Sequence, residues 1–454
     1  MNEFITLAHK LPYFNVTAES EWIPCTSGGH VVKTPGIITL PTPEYCPKCE
    51  AKVHNHSYET VKIKDIPLMK CPHILEVKFG RHKCSECGIV FTTTIPFKSE
   101  HHFITERLEK LICGYLSIGM SMKLVHRLTG VDVHIIKDID KAQLEKKYDL
   151  KTLKDIESVR FLAVDEIAIH KHHNYATVFM NLENGHIVYC EQGKKKDQVL
   201  HFIQKVGKKW LKNLVAVAMD MNAGYDQAFS DAAPHVQIVY DNFHMIKMYG
   251  DLVLTAIRRR LQLQARERGD ERTYSTLKGS RFLLLTNRQT LKEKDELALE
   301  NNRELLQNYE LKGLSLPPGR RYMRNGNEAH LNGLLSVNRE LYIAYILKEQ
   351  FQVAYDVVDA DVMKQGLRDW VQIARQSKVP EILKFCNTVE SHLDGISNHA
   401  KFNISTGKLE GTNNLAKVIK RIAYGFHDDE YYFLKLMDAS RRPYYKPASH
   451  KFLQ

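Results

Sequence analysis

The sequence predicts a multidomain α/β protein with a mixed β-sheet at its centre. Three observations predict this class: two cysteine pairs near the start, a group of β-rich runs at residues 161–190, and a long helical stretch after residue 245. At 454 residues, the chain has room for two to four domains. Its hydrophobic content of 43% is sufficient to form their cores.

The β-rich runs predict three antiparallel strands. The first, FLAVD at residues 161–165, is apolar until Asp165, as expected of a mostly buried strand. YATVFM at 175–180 and HIVYC at 186–190 predict the next two strands. Asn184-Gly185 between them is a strong hairpin signal.

A helix and two more acid-terminated strands follow. Apolar spacing at residues 199–210 predicts the helix, which Asp197 could cap. The runs LVAVAMD and VQIVYD then end in Asp220 and Asp241. This order of strands and helices is that of the RNase H-like fold, in which the first and fourth strands are neighbours. We therefore expect Asp165 and Asp220 to lie side by side.

Paired carboxylates of this kind predict a metal site. Buried carboxylates that lie close together repel each other unless cations join them. Mg²⁺ binds through a few carboxylates plus substrate phosphate, and two ions roughly 3.5–4 Å apart can clamp a phosphoryl displacement. The alternative is that each aspartate merely ends its strand at a turn, where Asp is common. The strand order and the basic chain favour catalysis.

Charge and cysteine usage indicate the partner and the compartment. There are 64 Lys and Arg against 53 Asp and Glu, which gives a net charge of +11 and favours a polyanionic partner. No apolar run is long enough for a membrane span, and the first residues lack a signal-peptide pattern. Four of nine cysteines form two CxxC pairs, which suits zinc in a reducing cytosol. We therefore expect a cytoplasmic protein, associated with the nucleoid when it binds DNA.

Residues 1–97 are expected to form a zinc-ribbon-like module. Cys46 and Cys49 form one CxxC knuckle, and Cys84 and Cys87 form the other, so that together they supply four thiolates to one Zn²⁺. The 34 intervening residues exceed the usual separation, but they include strand-like segments that could bring the knuckles together. Four buried free cysteines are the alternative, which leaves the paired spacing unexplained.

Residues 98–150 are expected to form a helix-turn-helix. Apolar residues at helical spacing predict three helices, with a turn at Gly130 and a cap at Asp132. If the third helix enters the major groove, Val133, His134 and Lys137 face the bases. An ordinary three-helix packing unit is the alternative.

Residues 158–245 would then be the first part of the catalytic core, and 246–395 an all-helical insertion with arginine clusters. Some of these arginines are expected to contact phosphate. Residues 396–430 would supply the last core helix, which contains GKLEGTNN at 407–414. Its apolar stripe runs through Leu415, Val418, Ile419 and Ile422, with Glu410, Asn413, Asn414, Lys417 and Arg421 on the other face. An acid in a first turn could also merely complement the helix dipole. Residues 431–454 would be a C-terminal tail.

This assembly resembles the ISL-three family of insertion-sequence transposases. The resemblance spans nearly the whole chain and rests on VDE, MDMN, YDNFH and GKLEGTNN. It is closest at residues 163–169, 217–222, 239–246 and 407–425. It implies that Asp165, Asp220 and Glu410 form a DDE triad that binds Mg²⁺ or Mn²⁺. Asp241 and His244 match a DxxH segment of the family and could position DNA near the site, or be a capping Asp with a packed His. Ser405-Thr406 departs from the expected Thr-Asn lead into the glycine.

The resemblance further implies cleavage at the ends of an insertion sequence, followed by attack of the freed 3′-OH on target DNA. The zinc module and the helix-turn-helix would bind the terminal inverted repeats, and Asn414, Lys417 and Arg421 would neutralise phosphates. Joining two ends implies a homodimer or a larger assembly. Two other functions fit the same residues: a catalytically silent DNA-binding regulator, and a metal-dependent nuclease that performs no strand transfer.

Overall fold

The computed structural model describes residues 11–24, 29–151, 153, 159–170, 174–311, 327–336, 338–404, 407–423 and 425–442. The chain divides into two compact units, and the first is discontinuous in sequence. It combines Met1–Leu153 with Asn414–Gln454, whereas the second comprises Lys154–Asn413. Ser405-Thr406 lie outside the described residues. No helix in the described ranges is long and apolar enough to span a bilayer.

The first unit begins with a six-stranded mixed sheet. Its strands are β1 (Phe14–Val16), β2 (Glu21–Pro24), β3 (His30–Ile38), β4 (Val53–Leu68), β5 (Cys71–Cys84) and β6 (Val90–Thr92). The main order is β1-β3-β5-β4, with β2 on β3 and β6 on β5. Only β3 and β5 run parallel among these pairs. The long β4–β5 hairpin fills most of the sequence between the two CxxC pairs.

Three short helices follow: α1 (Glu106–Ser117), α2 (Met122–Thr129) and α3 (Val133–Lys147). The side chains of Thr105, Ser121 and Asp132 cap their N-termini. Gly130 ends α2 with φ +68°, in the left-handed region that glycine adopts without steric cost. The three helices share one apolar core, which includes Leu108, Val125 and Ile136. The sequence predicted both the number of helices and the cap of α3.

A helix in the C-terminal part of this unit packs on α3. The segment expected to be a tail contains most of helix α17 (Asp429–Ser440). Asp438 on α17 accepts hydrogen bonds from Lys147 Nζ (2.8 Å) and Tyr148 Oη (2.7 Å). Arg442 also pairs with Asp438, whose side chain is only 7% exposed. Burial alone would raise the pKa of Asp438, but its hydrogen bonds to Lys147, Tyr148 and Arg442 lower that pKa to about 2.

We expect Asp438→Asn to destabilise the packing of α17 on α3 by about 3 kcal/mol, because it leaves the Arg442 guanidinium buried without its counter-charge. Hydrogen exchange of α3 and α17 amides measures this loss. The folded-state pKa is depressed, so the contribution of Asp438 is present above the unfolded pKa of about 4. It disappears as the pH falls towards 2, and the two proteins should converge there.

Glu430→Gln is the matched control, because it removes one charge from the same helix at a side chain that is 84% exposed. We expect the free energy of its opening to change by less than about 0.5 kcal/mol. An equal loss of protection in both variants would contradict the role of the buried ion pair.

The second unit is built on a five-stranded mixed sheet. Its strands are β7 (Phe161–His170), β8 (Asn174–Asn181), β9 (His186–Gln192), β10 (Ala216–Met219) and β11 (Gln237–Tyr240). The order is β11-β10-β7-β8-β9; β7, β8 and β9 are antiparallel neighbours, and β10 runs parallel to both β7 and β11. The first and fourth strands of this sheet are therefore adjacent, as expected from the sequence.

Three helices connect these strands to one another and to the rest of the unit: α4 (Lys196–Leu211), α5 (Ala223–Ala232) and α6 (Asn242–Tyr249). The predicted cap of α4 is wrong. The helix begins two residues earlier than expected, so Asp197 lies inside its first turn and Lys195 occupies the cap position. There, the Lys195 backbone N–H donates to the Gln198 side chain over 2.8 Å.

A large helical region follows, as the sequence predicted. It starts with a π-helical turn at Gly250–Thr255 and continues through α7 (Ala256–Glu267), α8 (Glu271–Leu277), α9 (Arg281–Leu285), α10 (Arg288–Leu311), α11 (Asn327–Ser336), α12 (Arg339–Tyr355), α13 (Ala360–Arg375), α14 (Pro380–Ser391) and α15 (Leu393–Phe402). Tyr249, Phe351, Trp370 and Phe385 form an aromatic core within it. The long interval between Asp220 and residue 407 is thus a folded body with its own core.

Helix α15 packs closely on the edge of the sheet. A Cβ atom on Gly395 would lie 2.4 Å from the Tyr240 ring, so only glycine permits this approach. Asn398 also donates to the Ile238 carbonyl over 2.9 Å. The contact returns the chain to the sheet just before α16 (Gly407–Ile422).

The buried face of α16 differs from the predicted apolar stripe. Leu409, Thr412 and Ala416 are at most 6% exposed, whereas Val418 and Ile422 are 41% and 42% exposed. A stripe drawn from hydrophobicity alone omitted Thr412 and Ala416, which are small enough for close packing.

Candidate active site

Three aspartates occupy equivalent positions on the parallel strands of the second sheet. Val164 pairs with Met219, and Met219 pairs with Tyr240. Val164, Met219 and Tyr240 are followed in the sequence by Asp165, Asp220 and Asp241, respectively. All three line one cavity.

The Asp165 carboxyl lies in a largely buried environment. The backbone N–H of Glu166 donates to its Oδ1 over 2.7 Å. Burial and the negative charge of Asp220 nevertheless raise the pKa of Asp165 to about 6. The chain thus holds two mutually repelling acids at one end of the sheet, and a cation between them would relieve that repulsion.

His244 contacts the second acid. Its Nδ1 lies 2.7 Å from Asp220 Oδ1 and 4.0 Å from Asp241 Oδ1. The contact with Asp220 raises the pKa of His244 above its usual value, although burial opposes this shift. Asp241 is 3% exposed, and its Oδ1 accepts the Phe243 N–H over 2.7 Å to cap α6. Asp241 is therefore a helix cap, and His244 extends from the first turn of that helix to Asp220.

Helix α16 contributes the remaining wall of the cavity. Gly407 and Asn413 line the cavity together with the three aspartates. Residues three apart on a helix differ by about 60° in direction, so position 410 falls between positions 407 and 413 on the helical wheel. The side chain of Glu410 lies outside the described features. Further along α16, Asn414, Lys417 and Arg421 are exposed.

The cavity encloses about 690 Å³ and contains residues that the sequence analysis did not select. These are Glu166, Tyr175, Asn222, Phe243 and Lys247, which lie with the aspartates along its lining. Helical spacing from His244 could have indicated Lys247, which follows it by three residues. Nothing local indicates Tyr175, because its place depends on the pairing of β8 with Ala168 of β7.

The donor set fits a hard divalent cation. Carboxylates are the protein ligands that Mg²⁺ and Mn²⁺ prefer, and here they line a predominantly polar cavity. Asp165 and Asp220 are the residues that could hold such an ion.

The four cysteines of the CxxC pairs converge in the first unit. All four Sγ atoms lie within 4.8 Å of one another. Cys46 Sγ is 3.7 Å from Cys87 Sγ, and Cys49 Sγ is 3.5 Å from Cys84 Sγ. Tetrahedral Zn–S bonds of about 2.3 Å place sulfur atoms about 3.8 Å apart. The cluster is therefore compatible with a structural zinc ion.

The three residues predicted to face DNA bases have different surroundings. His134 is exposed in the first turn of α3. Val133 is half-buried and lines an apolar cavity of about 210 Å³, together with residues of α17 such as Tyr431. Lys137 Nζ lies 2.9 Å from Asp428 Oδ2, just before α17. Of the three, His134 has the exposure expected of a base contact.

Comparisons with known proteins agree on one kind of protein. A family model described as Transposase matches residues 162–436, which include the three aspartates and position 410. The chain is 27% identical over 410 residues to the transposase for insertion sequence element IS1001 of Bordetella parapertussis, covering 90% of this chain and 92% of that protein. It is 22% identical over 382 residues to the transposase for IS1557 of Mycobacterium tuberculosis, covering 78% and 76%.

Proposed function

The chain belongs to the ISL-three family of insertion-sequence transposases, and we propose that it binds the terminal inverted repeats of its element and catalyses DNA cleavage and strand transfer. The observation that carries the proposal is the placement of Asp165 and Asp220 on adjacent parallel strands, in a cavity also lined by α16. The sheet order β9-β8-β7-β10-β11 supports assignment of this region to the RNase H-like fold.

In this proposal Asp165, Asp220 and Glu410 form a DDE triad that holds Mg²⁺ or Mn²⁺. The bound ions supply Lewis-acid activation of water and neutralise charge on the leaving 3′ oxygen. Asp165 and Asp220 would hold these ions at the ends of adjacent strands, where a phosphodiester entering the cavity would meet them. His244 orients the Asp220 carboxylate by direct contact, because the first turn of α6 fixes the imidazole.

The chemistry consists of two successive phosphoryl transfers. Water attacks the phosphorus at the element end and the P–O3′ bond breaks. The leaving oxygen takes up a proton, which balances the one that the attacking water releases, and becomes a free 3′-OH. The phosphate stays on the 5′ end of the flanking strand. That hydroxyl then attacks a phosphodiester of the target DNA. A new P–O bond forms as the P–O3′ bond of the target breaks, and the proton of the hydroxyl balances the one taken up by the released 3′ oxygen of the target. Asn414, Lys417 and Arg421 are exposed along one helix and would contact the DNA phosphates.

The first unit would recognise the element ends. The zinc module and helices α1 to α3 would bind the inverted repeats, with His134 and Lys137 on the helix-turn-helix close to the bases. Lys137 must leave Asp428 to reach DNA, so recognition includes breaking this ion pair. Because two ends must be joined, at least two copies would assemble on the DNA.

The proposal is tested with purified protein, Mg²⁺ and linear DNA that carries the ends of the chain's own element. We expect nicks at the ends, followed by joined products, and neither on a duplex with scrambled ends. Binding to the ends without cutting would identify a silent regulator. Cutting without joined products would identify a nuclease.

A further inference from the structure

The cavity that holds the three aspartates also contains aromatic rings, which cleavage of a phosphodiester does not by itself require. Phe243 is 61% exposed, although burial of such a side chain is worth roughly 1.5–3 kcal/mol. Its ring meets that of His244 edge-on, with centroids 5.7 Å apart and planes at 84°. The Phe243 N–H is bonded to the Asp241 cap, so the backbone that carries this ring is fixed. An apolar ring is thus held in place and left open to solvent beside the acids.

The second ring, that of Tyr175, makes a cation–π contact with a lysine. Lys194 Nζ lies 4.1 Å from the centroid of the Tyr175 ring. Burial raises the pKa of Glu166, and the positive charge of Lys194 opposes that shift, so the ammonium group acts on two residues of the cavity lining. Lys194 itself is exposed. Its ammonium group is therefore accessible to an anion as well as to the ring.

The turn that carries Lys194 is tied to the sheet. The Gly193 N–H donates to the Tyr175 carbonyl over 2.8 Å, and Thr177 Oγ1 donates to the Gly193 carbonyl over 2.9 Å. Gly193 has φ +116°, and a Cβ there would lie 2.6 Å from the Gln198 side chain. Only glycine satisfies both conditions, so the lysine beside the cavity is held in place by local backbone geometry.

We propose, on the basis of the function proposed above, that this cavity accepts one unpaired nucleotide of the strand being cut. Its base stacks on Phe243, and its phosphate contacts Lys194. A base inside a duplex has no free face, whereas an extruded base exposes both faces to an aromatic ring. The volume of about 690 Å³ lies in the range of roughly 300–1,000 Å³ for small-ligand sites, which suits a nucleotide.

This arrangement joins cleavage to strand separation. The acids need access to a phosphodiester, and unstacking the nucleotide next to it removes the neighbouring base from the approach. Stacking on an aromatic ring offsets the cost of unpairing and is tolerant of sequence. The subsite would therefore favour element ends whose base pairs open easily over the interior of a duplex, and it would do so without sequence specificity.

The test combines a protein change with a DNA change. End duplexes are made intact or with an abasic site on either side of the scissile bond, and affinity is measured in Ca²⁺ without cutting. We expect Phe243→Ala to weaken binding of the intact duplex about 5- to 150-fold, the range of one stacked base. With the abasic site at the stacked position, the same substitution should change affinity less than about twofold. Phe243→Trp keeps a ring and should restore binding of the intact duplex.

Phe282→Ala is the matched control, because Phe282 is 55% exposed and lies on α9, outside the cavity lining. We expect it to leave affinity unchanged on every duplex. Lys194→Gln should reduce the slope of log affinity against log salt concentration by about one, as expected for the loss of one phosphate contact. The subsite is overturned if Phe243→Ala has no effect on the intact duplex, or if its effect persists on both abasic duplexes.

Cleavage in Mg²⁺ is measured separately on the same duplexes. If the wild type binds with the expected base dependence but never cuts, the proposed function fails and the nucleotide subsite stands. If the wild type cuts and joins the ends, but Phe243→Ala has the same effect on affinity for intact and abasic duplexes, the subsite fails and the proposed function stands.

Discussion

Replacing Asp220 with Asn should abolish cleavage of the element ends, with a loss of roughly 10³-fold or more in rate. The same loss is expected for Asp165→Asn. Each change keeps the shape of the side chain but removes the negative charge on which a divalent cation depends. Asp220→Asn also removes the repulsion that, in addition to burial, raises the pKa of Asp165. Single-turnover cleavage of labelled end DNA measures the rate, and binding of the same DNA should change little.

Asp226→Asn is the control for this prediction. Asp226 lies on α5 in the same unit, accepts a hydrogen bond from Tyr240 Oη over 2.7 Å, and is not among the cavity-lining residues. An asparagine oxygen can still accept that bond. We therefore expect near-normal cleavage. Comparable rates for Asp220→Asn and the wild type would remove Asp220 from the catalytic assignment.

Removal of zinc should have the largest effect on stability. Structural zinc contributes about 10–16 kcal/mol in small zinc-finger peptides, which is comparable to the whole stability of a typical domain. We expect one zinc ion per chain by elemental analysis. Chelation should abolish hydrogen-exchange protection around Cys46–Ala51 and Cys84–Ile89, where backbone hydrogen bonds close the two knuckles. The amides of β7 and β10, in the other unit, should keep their protection.

Cys49→Ser should lose the metal in the same way. Cys71→Ser is its control, because Cys71 lies at the start of β5 in the same sheet but outside the four-thiol cluster. That variant should retain one zinc ion. Full zinc content and unchanged protection in Cys49→Ser would contradict a four-cysteine site.

Local patterns predicted the strands, their acids and the order of helices well. Apolar runs that end in Asp165, Asp220 and Asp241 indicate buried parallel strands, and the register of such strands then brings the acids together. The four cysteines followed from their paired spacing. In each case the decisive signal lies within a few residues of the feature itself.

Features that depend on contacts between distant residues could not be predicted in this way. Tyr431 donates a hydrogen bond to Asp140, which lies 291 residues earlier in the chain, and no local sequence pattern predicts that contact. The place of Tyr175 in the cavity lining likewise depends on the pairing of β8 with β7. Thr412 and Ala416 on α16 are buried because their small side chains permit close packing, and a pattern based on hydrophobicity alone does not predict such positions.

The discontinuous first unit has a consequence for how the protein is made. A ribosome adds 5–20 residues per second, so the roughly 260 residues of the second unit take on the order of tens of seconds to emerge. During that time α3 has been synthesised, but Asp140 still lacks Tyr431 and Lys435. A polypeptide that ends early, through a stop codon or a frameshift in the second unit, would carry the four-cysteine cluster without α17. Such fragments would leave Asp140, Lys147 and Tyr148 without the partners that α17 supplies. We therefore expect them to be degraded faster than the full chain.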